Sequence, residues 1–452
     1  YSSPYDATAG LVPPEMFYGR SNELEAVRGL NGQCFIYGGR QLGKTALLKR
    51  AEQSFHNPRQ HHYARWVDLR AEGIGVSLES GEVWVTLHER FREMGIIDPK
   101  VAAPTPGKKQ GSDRVIRAVR EFLAANPDRR VLLLLDEADR FFEQDGRRDF
   151  EETRRLKQLM DETQRRFKVV FAGLHNVLRM TGWANHEWAN HPLAHFGESI
   201  EIGPLREGEE VEEAIDLIRK PMAASGFQFE SKGLVIRILA QTNYYPSLIQ
   251  LYCSHLMRHM LAKVTSTRGH AGGVGPRYRV TGKDIELVYS SDALREEIRA
   301  KFRLTLQLDP RYEVLAHAMA LSLLRGEYSQ VDGMPWQTIR QECALRWWAE
   351  GFNDTSEADF RVLLDEMKGL GVLWRPAEGR YVLRSANVLL LLGTQDEIEA
   401  VLGREREPAV EFESASFRPP MRTVSLGSAR NVFTYQQLSQ LLKREYFITV
   451  VT

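Results

Sequence analysis

The 452-residue sequence has no excess of either charge, with 60 Lys and Arg against 60 Asp and Glu. That balance excludes a global field favouring nucleic acid or an anionic membrane, although a local basic patch stays open. Cysteine is scarce: Cys34, Cys253 and Cys343 are the only three. They form neither a metal-binding spacing nor a disulfide framework, which fits a reducing cytoplasm. No apolar run approaches the roughly 18 residues needed to span a bilayer, and no signal peptide is visible, so a membrane partner is not expected. What remains is an ordinary globular composition, 43% apolar and 27% charged, on a length that suggests about two to four domains. The chain begins at Tyr1 without Met and ends on the strand-like run 446–451. It therefore reads as a fragment of a longer polypeptide. No internal repeat is found.

The stretch that organises the chain is Gln33–Arg50, QCFIYGGRQLGKTALLKR. A short apolar run feeds into Gly38-Gly39-Arg40-Gln41-Leu42-Gly43-Lys44-Thr45, and Ala46 opens an apolar helical pattern. This is G-x-x-x-x-G-K-[ST] between a strand and a helix, the context that gives the motif meaning. Backbone N–H groups must wrap a polyphosphate, so glycine stands where a Cβ would block the approach. The helix beginning near Gly43 turns its positive end to the phosphates. Lys44 supplies a mobile cation for the β- and γ-phosphates, and Thr45 a hydroxyl ligand for magnesium. A second stretch, Arg129–Asp139, reads RRVLLLLDEAD. Its unbroken apolar run predicts a strand buried on both faces, as in a parallel sheet. Carboxylates at its C-terminal end lie where ligands bind in open α/β sheets. Asp136 is expected to hold magnesium, directly or through water, and Glu137 to polarise an attacking water.

Upstream, Met16-Phe17-Tyr18-Gly19-Arg20 precedes an acidic helix capped by Ser21 or Asn22. Aromatic-x-Gly-Arg shortly before a phosphate loop resembles the box of AAA+ ATPases of the origin-recognition and archaeal group, and of the related STAND ATPases. The resemblance implies that Tyr18, Gly19 and Arg20 pack beside the adenine of ATP or ADP. Strands are expected at 63–69, 168–174 and 199–205, completing a five-stranded core. Helices are expected at 83–94, 114–125 and 150–166, and residues 97–111 read as a flexible insertion. After the fourth strand, His175 or Asn176 resembles the sensor that reaches the γ-phosphate or the lytic water. Arg179 is a candidate for the arginine that completes a neighbouring subunit's site.

Residues 208–220 and 231–263 read as helical. Thr242-Asn243-Tyr244-Tyr245-Pro246 resembles the small-domain Gly-x-Pro turn of STAND and archaeal ATPases. Pro246 suits a first helical turn and is expected to touch the nucleotide, while Tyr244 stands where the family has glycine. No arginine occupies the second sensor position of typical AAA+ lids, which tilts the resemblance toward STAND. His255 and His259, four apart, read as helix surface. Residues 264–280 read as disordered or inserted. Three helices, at 312–324, 336–348 and 356–370, then a β-pair at 371–374 and 381–384, describe a winged helix. Its third helix carries Glu357, Asp359, Asp365 and Glu366 against Arg361 and Lys368, four acids to two bases. Phosphate repulsion makes that a poor major-groove helix. Arg375, Arg380 and Arg384 of the hairpin leave DNA contact possible but not favoured.

The expected fold is α/β, a three-layer P-loop NTPase core with a parallel sheet, followed by a helical lid and a winged helix. The expected divisions are a leader (1–16), the core (17–206), the lid (207–307), the winged helix (308–392) and a C-terminal remainder (393–452). The function implied by the resemblance is an ATP-binding and hydrolysing switch of STAND type, in bacteria a signalling or antiphage role. Nucleotide, Mg2+ and either a homo-oligomer or a protein partner are implied. The alternatives are an origin-recognition-like ATPase that binds or remodels DNA, and a nucleotide-binding scaffold that does not hydrolyse. Intact Lys44, Thr45, Asp136 and Glu137 argue against the last.

Overall fold

The structure is a computed structural model. It describes residues 3–5, 12–39, 41–104, 109–173, 196, 199–205, 210–267, 278–353 and 355–404, all within one compact unit, Tyr1–Val410. Strands β1 (Phe35–Gly38), β2 (His62–Asp68), β3 (Arg130–Asp136), β4 (Phe167–Gly173) and β5 (Ser199–Ile202) form a five-stranded sheet in the order β2-β3-β4-β1-β5. Every neighbouring pair is parallel. Helices α1 (Ser21–Arg28), α2 (Lys44–Phe55), α3 (Val83–Glu93), α4 (Lys109–Ala124), α5 (Asp139–Gly146) and α6 (Glu151–Glu162) accompany it.

The reading of β3 as a doubly buried strand holds residue by residue. Leu132 and Leu134 pack on one face with Leu47, Leu48 and Ala51 of α2. Val131, Leu133 and Leu135 pack on the other with Phe91, Val119 and Leu159 from α3, α4 and α6. Alternate side chains of a strand point to opposite faces, so a run that is apolar at every position requires cover on both. The outer edge of β2 is protected by α2: Ala64 N donates to His56 Nδ1 at 3.1 Å and Trp66 N to Glu52 Oε1 at 3.0 Å. Those bonds occupy backbone donors that would otherwise offer a template for another strand. Lys168 on β4 is buried, and its ammonium donates to the carbonyls of Ala26, Val27 and Gly29 at 2.9, 2.9 and 2.6 Å. Burial lowers its pKa to about 8, so it stays charged at neutral pH and caps the negative end of α1.

Beyond the sheet come α7 (Glu210–Ala224), β6 (Phe227–Phe229), α8 (Lys232–Gln241), α9 (Pro246–Thr267), β7 (Tyr278–Val280), α10 (Gly282–Tyr289) and α11 (Asp292–Leu306). Their apolar faces do not form a separate core. Ile218, Ile238, Tyr252 and Ile285 belong to the same buried cluster as Ile36 and Ile202 of the sheet. Then follow α12 (Pro310–Leu324), β8 (Met334–Pro335), α13 (Trp336–Gln341), a π-turn at Glu342–Trp347, α14 (Glu357–Gly369), β9 (Leu373–Ala377), β10 (Arg380–Leu383), α15 (Ala386–Leu392) and α16 (Gln395–Leu402). Strands β8, β10 and β9 make a three-stranded antiparallel sheet. Phe302 and Leu306 of α11 join the core of this helix–hairpin unit, which also holds Trp348 and Leu370.

Several boundaries differ from expectation. Helix α4 starts at Lys109, inside the stretch read as insertion. The helix expected over 150–166 stops at Glu162, where Gln164 and Arg165 turn left-handed with φ of 53° and 62°. The stretch 264–280 contributes the end of α9 and strand β7, which pairs parallel with β6. Residues 405–452, with most of the expected C-terminal remainder and the strand-like run 446–451, lie outside the described residues. Among the described residues no helix is long and apolar enough to cross a membrane.

Helix α10 shows how tightly the helical region is tied. Asp284 accepts from Thr281 N at 2.9 Å and Thr281 Oγ1 at 2.7 Å, from Lys263 Nζ at 2.8 and 3.0 Å, and meets His259 Nε2 at 3.0 Å. Burial alone would raise its pKa, but the bonds from Lys263 and Thr281 outweigh that and hold the carboxyl well below the usual range. The folded pKa is below the unfolded value of about 3.9, so the stabilisation is full above that pH and is lost as pH falls from there through the lower folded pKa. Asp284→Ala is expected to cost about 2–4 kcal/mol at pH 7. In urea unfolding at a series of pH values the gap from the parent should close below about pH 4.

Candidate nucleotide-binding site

The site begins where β1 ends. Gly38 and Gly43 take φ of 154° and 98°, and Gln41 between them a φ of 65°. Gly43 is thus left-handed immediately before α2, and its carbonyl accepts the first helical bond from Leu47 N at 2.9 Å. The first turn of a helix has no intrahelical carbonyl for its N–H groups, which is the arrangement that receives an anion. Lys44 is 7% exposed, and its ammonium donates to the carbonyls of Gly38 and Gly39, both at 2.8 Å. It lies across the loop on the carbonyls, within reach of the space a phosphate chain would enter.

Across the sheet, Thr45 Oγ1 donates to Asp136 Oδ2 at 2.7 Å, joining α2 to the end of β3 over the intervening β4. Asp136 is 1% exposed. Its Oδ1 accepts from Glu137 N at 3.0 Å, and its Oδ2 also accepts from Trp66 Nε1 at 3.3 Å. A hydroxyl and a carboxylate oxygen side by side beside a phosphate loop suit a hard divalent cation that takes its remaining ligands from water and phosphate. The residues present therefore fit Mg2+, which Thr45 and Asp136 would hold. Glu137 has a φ of 52°, and the next residue, Ala138, donates to Ala172 O of β4 at 3.0 Å. That bond fixes the turn that carries the Glu137 carboxylate. Arg70 stands 4.0 Å from it, but both side chains are too exposed for the pair to contribute much.

The helical region approaches from the other side. Asn243 and Tyr244 take φ of 51° and 59°. The backbone is thus left-handed at the position where the resemblance has glycine, with tyrosine in it. Tyr244 N donates to Leu239 O at 3.0 Å and Tyr244 O accepts from Leu205 N at 3.1 Å, bonds that offset the unfavourable backbone. Pro246 then opens α9, and Ser247 Oγ lies 3.3 Å from Gln41 Oε1 of the phosphate loop. The helix–hairpin unit closes a third side. A Cβ at Gly39 would overlap the side chain of Leu370, and Gly371 abuts Pro204. Asn243 Nδ2 donates to Gly371 O at 3.0 Å and the Tyr245 hydroxyl to Leu370 O.

Upstream, Arg20 is 6% exposed and its guanidinium is turned to Glu210 at 2.8 Å, to Glu23 at 3.3 Å and to the Gly203 carbonyl. It ties the start of α1 to the chain leaving β5 and to the first turn of α7. Gly19 packs against Leu205, and Lys220 Nζ lies 5.7 Å from the centre of the Tyr18 ring. Leu42 is buried in the core beneath the loop, and Ala46 sits in the first turn of α2. Arg40, His175, Asn176 and Arg179 lie outside the described residues. The sequence did not point to Trp66 or Arg70, nor to Leu370 as more than a core residue. Their roles arise from strand register and packing between distant segments, which leave no local pattern.

A parallel sheet in this order, with the glycine loop after its β1 and the acid after its β3, decides the fold. It is a P-loop NTPase fold. Residues 28–180 match the family described as AAA domain. The P-loop NTPase architecture is also that of the Walker-type ATPase of Pyrococcus abyssi, with a TM-score of 0.55 at 13% identity, over 86% of this chain and 99% of that one. The ORC2 protein of Aeropyrum pernix, solved as ADPNP and ADP complexes, aligns with a TM-score of 0.49 at 13% identity over 88% and 96% of the two chains. Cdc6p from Pyrobaculum aerophilum aligns with a TM-score of 0.38 at 12% identity over 88% and 97%. No curated protein matches the sequence.

Replacement of Lys44 tests the cradle. With a methyl group in its place, the triphosphate charge has no mobile partner inside the loop. Lys44→Ala is expected to weaken ATP binding by about 100-fold in calorimetry, and an unchanged affinity would remove the loop from the binding site.

Proposed function

We propose that the chain is an ATP-binding and hydrolysing conformational switch of STAND type. The observation that carries this reading is the meeting of three segments on one loop. Gly39 packs against Leu370, Gln41 faces Ser247, and Tyr245 and Asn243 bond the Leu370–Gly371 turn. A ligand shifts such an arrangement only by its differential affinity for two states. ATP entering the loop competes for the space and the polar groups on which those contacts rest.

In this reading the loop N–H groups and the N-terminus of α2 bind the phosphates, and Lys44 exchanges the Gly38 and Gly39 carbonyls for phosphate oxygens. Thr45 and Asp136 hold Mg2+, which when bound supplies positive charge at the β- and γ-phosphates. Glu137 accepts the proton of the attacking water, and His175 or Asn176, following the central β4, senses the γ-phosphate. Tyr18, Gly19 and Pro246 flank the base, and Arg179 serves a neighbouring subunit. We read α12–α14 and the β9–β10 hairpin as a winged helix that receives the motion. Its partner is a protein or a second copy of the chain, and a bacterial signalling or antiphage role rests on the family resemblance.

The DNA-binding alternative depends on the hairpin arginines, each of which has a partner at the surface of the unit. The Arg384 guanidinium lies 5.4 Å from the centre of the Trp374 ring, and Arg375 is 3.8 Å from Asp365. Arg380 donates to the carbonyls of Asp332 and Gly333 at 3.3 and 2.8 Å. Exposed contacts of this kind hold the arginines only weakly, and the reading for protein contacts rests on the acids of α14 that are not buried, Glu357, Asp359 and Asp365.

Glu137→Gln is expected to bind ATP but to turn it over at least about 100-fold more slowly, because an amide accepts no proton. Scattering and sedimentation of that variant should give different profiles in ATP and in ADP. Superimposable profiles would leave a nucleotide-binding protein that does not switch, and sub-micromolar binding of duplex DNA at physiological salt would favour the alternative.

A further inference from the structure

Trp66 reaches the metal-holding carboxylate by strand register. It pairs with Leu134 in the β2–β3 ladder, and Asp68 pairs with Asp136. Leu134 and Asp136 are two apart on β3 and so share a face, the one covered by α2. Trp66 is the diagonal neighbour of Asp136 on that face, a separation a large aromatic side chain can bridge. Its indole N–H donates to Asp136 Oδ2 at 3.3 Å, the same oxygen that accepts from Thr45 at 2.7 Å. From the helix side, Lys49 lies one turn after Thr45 and sets its ammonium 4.3 Å from the centre of the Trp66 ring. The Trp66 backbone N–H is bonded to Glu52, also on α2. Helix α2 thus meets Trp66 at two places, the ring through Lys49 and the backbone through Glu52.

We infer that Trp66 is a positioning residue for the magnesium site, holding the Asp136 carboxylate in the orientation that a cation beside Thr45 requires. The inference rests on the assignment of Thr45 and Asp136 to Mg2+. An indole suits this task because it is a donor only and carries no charge. A Lys or Arg in its place would orient the carboxylate equally well but would compete electrostatically with the cation. The nearby Lys49 charge acts on the face of the ring, which favours the cation–π contact and draws electron density from the N–H. Of the roughly four acceptor positions of a carboxylate, Asp136 Oδ2 gives its two to the indole and to Thr45 and Oδ1 gives one to Glu137 N, which leaves a position on Oδ1 for a metal-bound water.

The test compares ATP affinity with and without the metal on the 452-residue chain. Calorimetric titrations of ATP in EDTA and in MgCl2 give the ratio of the two dissociation constants. In the parent chain Mg2+ should tighten binding; a ratio of one would sink the metal assignment and this inference with it. Trp66→Phe keeps the ring and removes the donor. It is expected to reduce the ratio by about fivefold while leaving the EDTA affinity unchanged. A merely structural role would weaken both affinities alike. An unchanged ratio in a folded Trp66→Phe chain, or equal losses in both titrations, overturns the inference while leaving the metal assignment standing. If Trp66→Phe does not fold by circular dichroism, Lys49→Met, which keeps the indole, should lower the ratio by about twofold, and an unchanged ratio there counts against it equally.

Discussion

The arrangement depends on how closely the backbone of one loop can be approached. Gly39 has no Cβ, and the space a Cβ would take is filled by Leu370, contributed by a segment more than three hundred residues away in sequence. On the same loop, Gly43 adopts a left-handed conformation immediately before α2 starts at Lys44. The glycines that allow a polyphosphate to be wrapped also admit a packing contact from the helix–hairpin unit. Nucleotide recognition and domain contact are therefore not separable properties of this loop.

The hydrophobic core tells the same story from below. One face of the sheet is covered by α3, α4 and α6, and closes on itself. The other is shared with the helical region through α7, α8 and α9. Movement of the helical region as a rigid body would open that shared core, at a cost of roughly 25 cal/mol for each Å² of apolar surface exposed. Of the contacts near the loop, that of Ser247 on Gln41 is half-buried, whereas the Tyr245 hydroxyl meets the Leu370 carbonyl in the interior. Arg20 stands at the joint, with its guanidinium on the chain leaving β5 and on the first turn of α7.

The sheet and the binding loop were legible in the sequence because each is encoded locally. Residues 131–135 are apolar at every position, and only a strand covered on both faces makes use of that. The loop is a contiguous motif whose chemistry requires glycine, lysine and threonine at fixed spacing. Elements that depend on distant partners were not legible. Strands β6 and β7 have three residues each and exist because Phe227–Phe229 meets Tyr278–Val280. The short helix α5 follows the acidic pair too closely to show a period of its own. The turn at Asn243–Tyr244 needed glycine by resemblance, yet tyrosine holds it, because tertiary bonds outweigh the local preference. Trp66 escaped notice because its relation to Asp136 is a matter of register between two strands.

The central claim is that one loop joins the sheet, the helical region and the C-terminal unit. Hydrogen–deuterium exchange of the whole chain, read by mass spectrometry with and without Mg-ATP, tests it most directly. Exchange should change together at 38–45, 243–249 and 366–373, since the three segments share contacts. A change confined to 38–45, with the other two segments indifferent to nucleotide, would contradict the account.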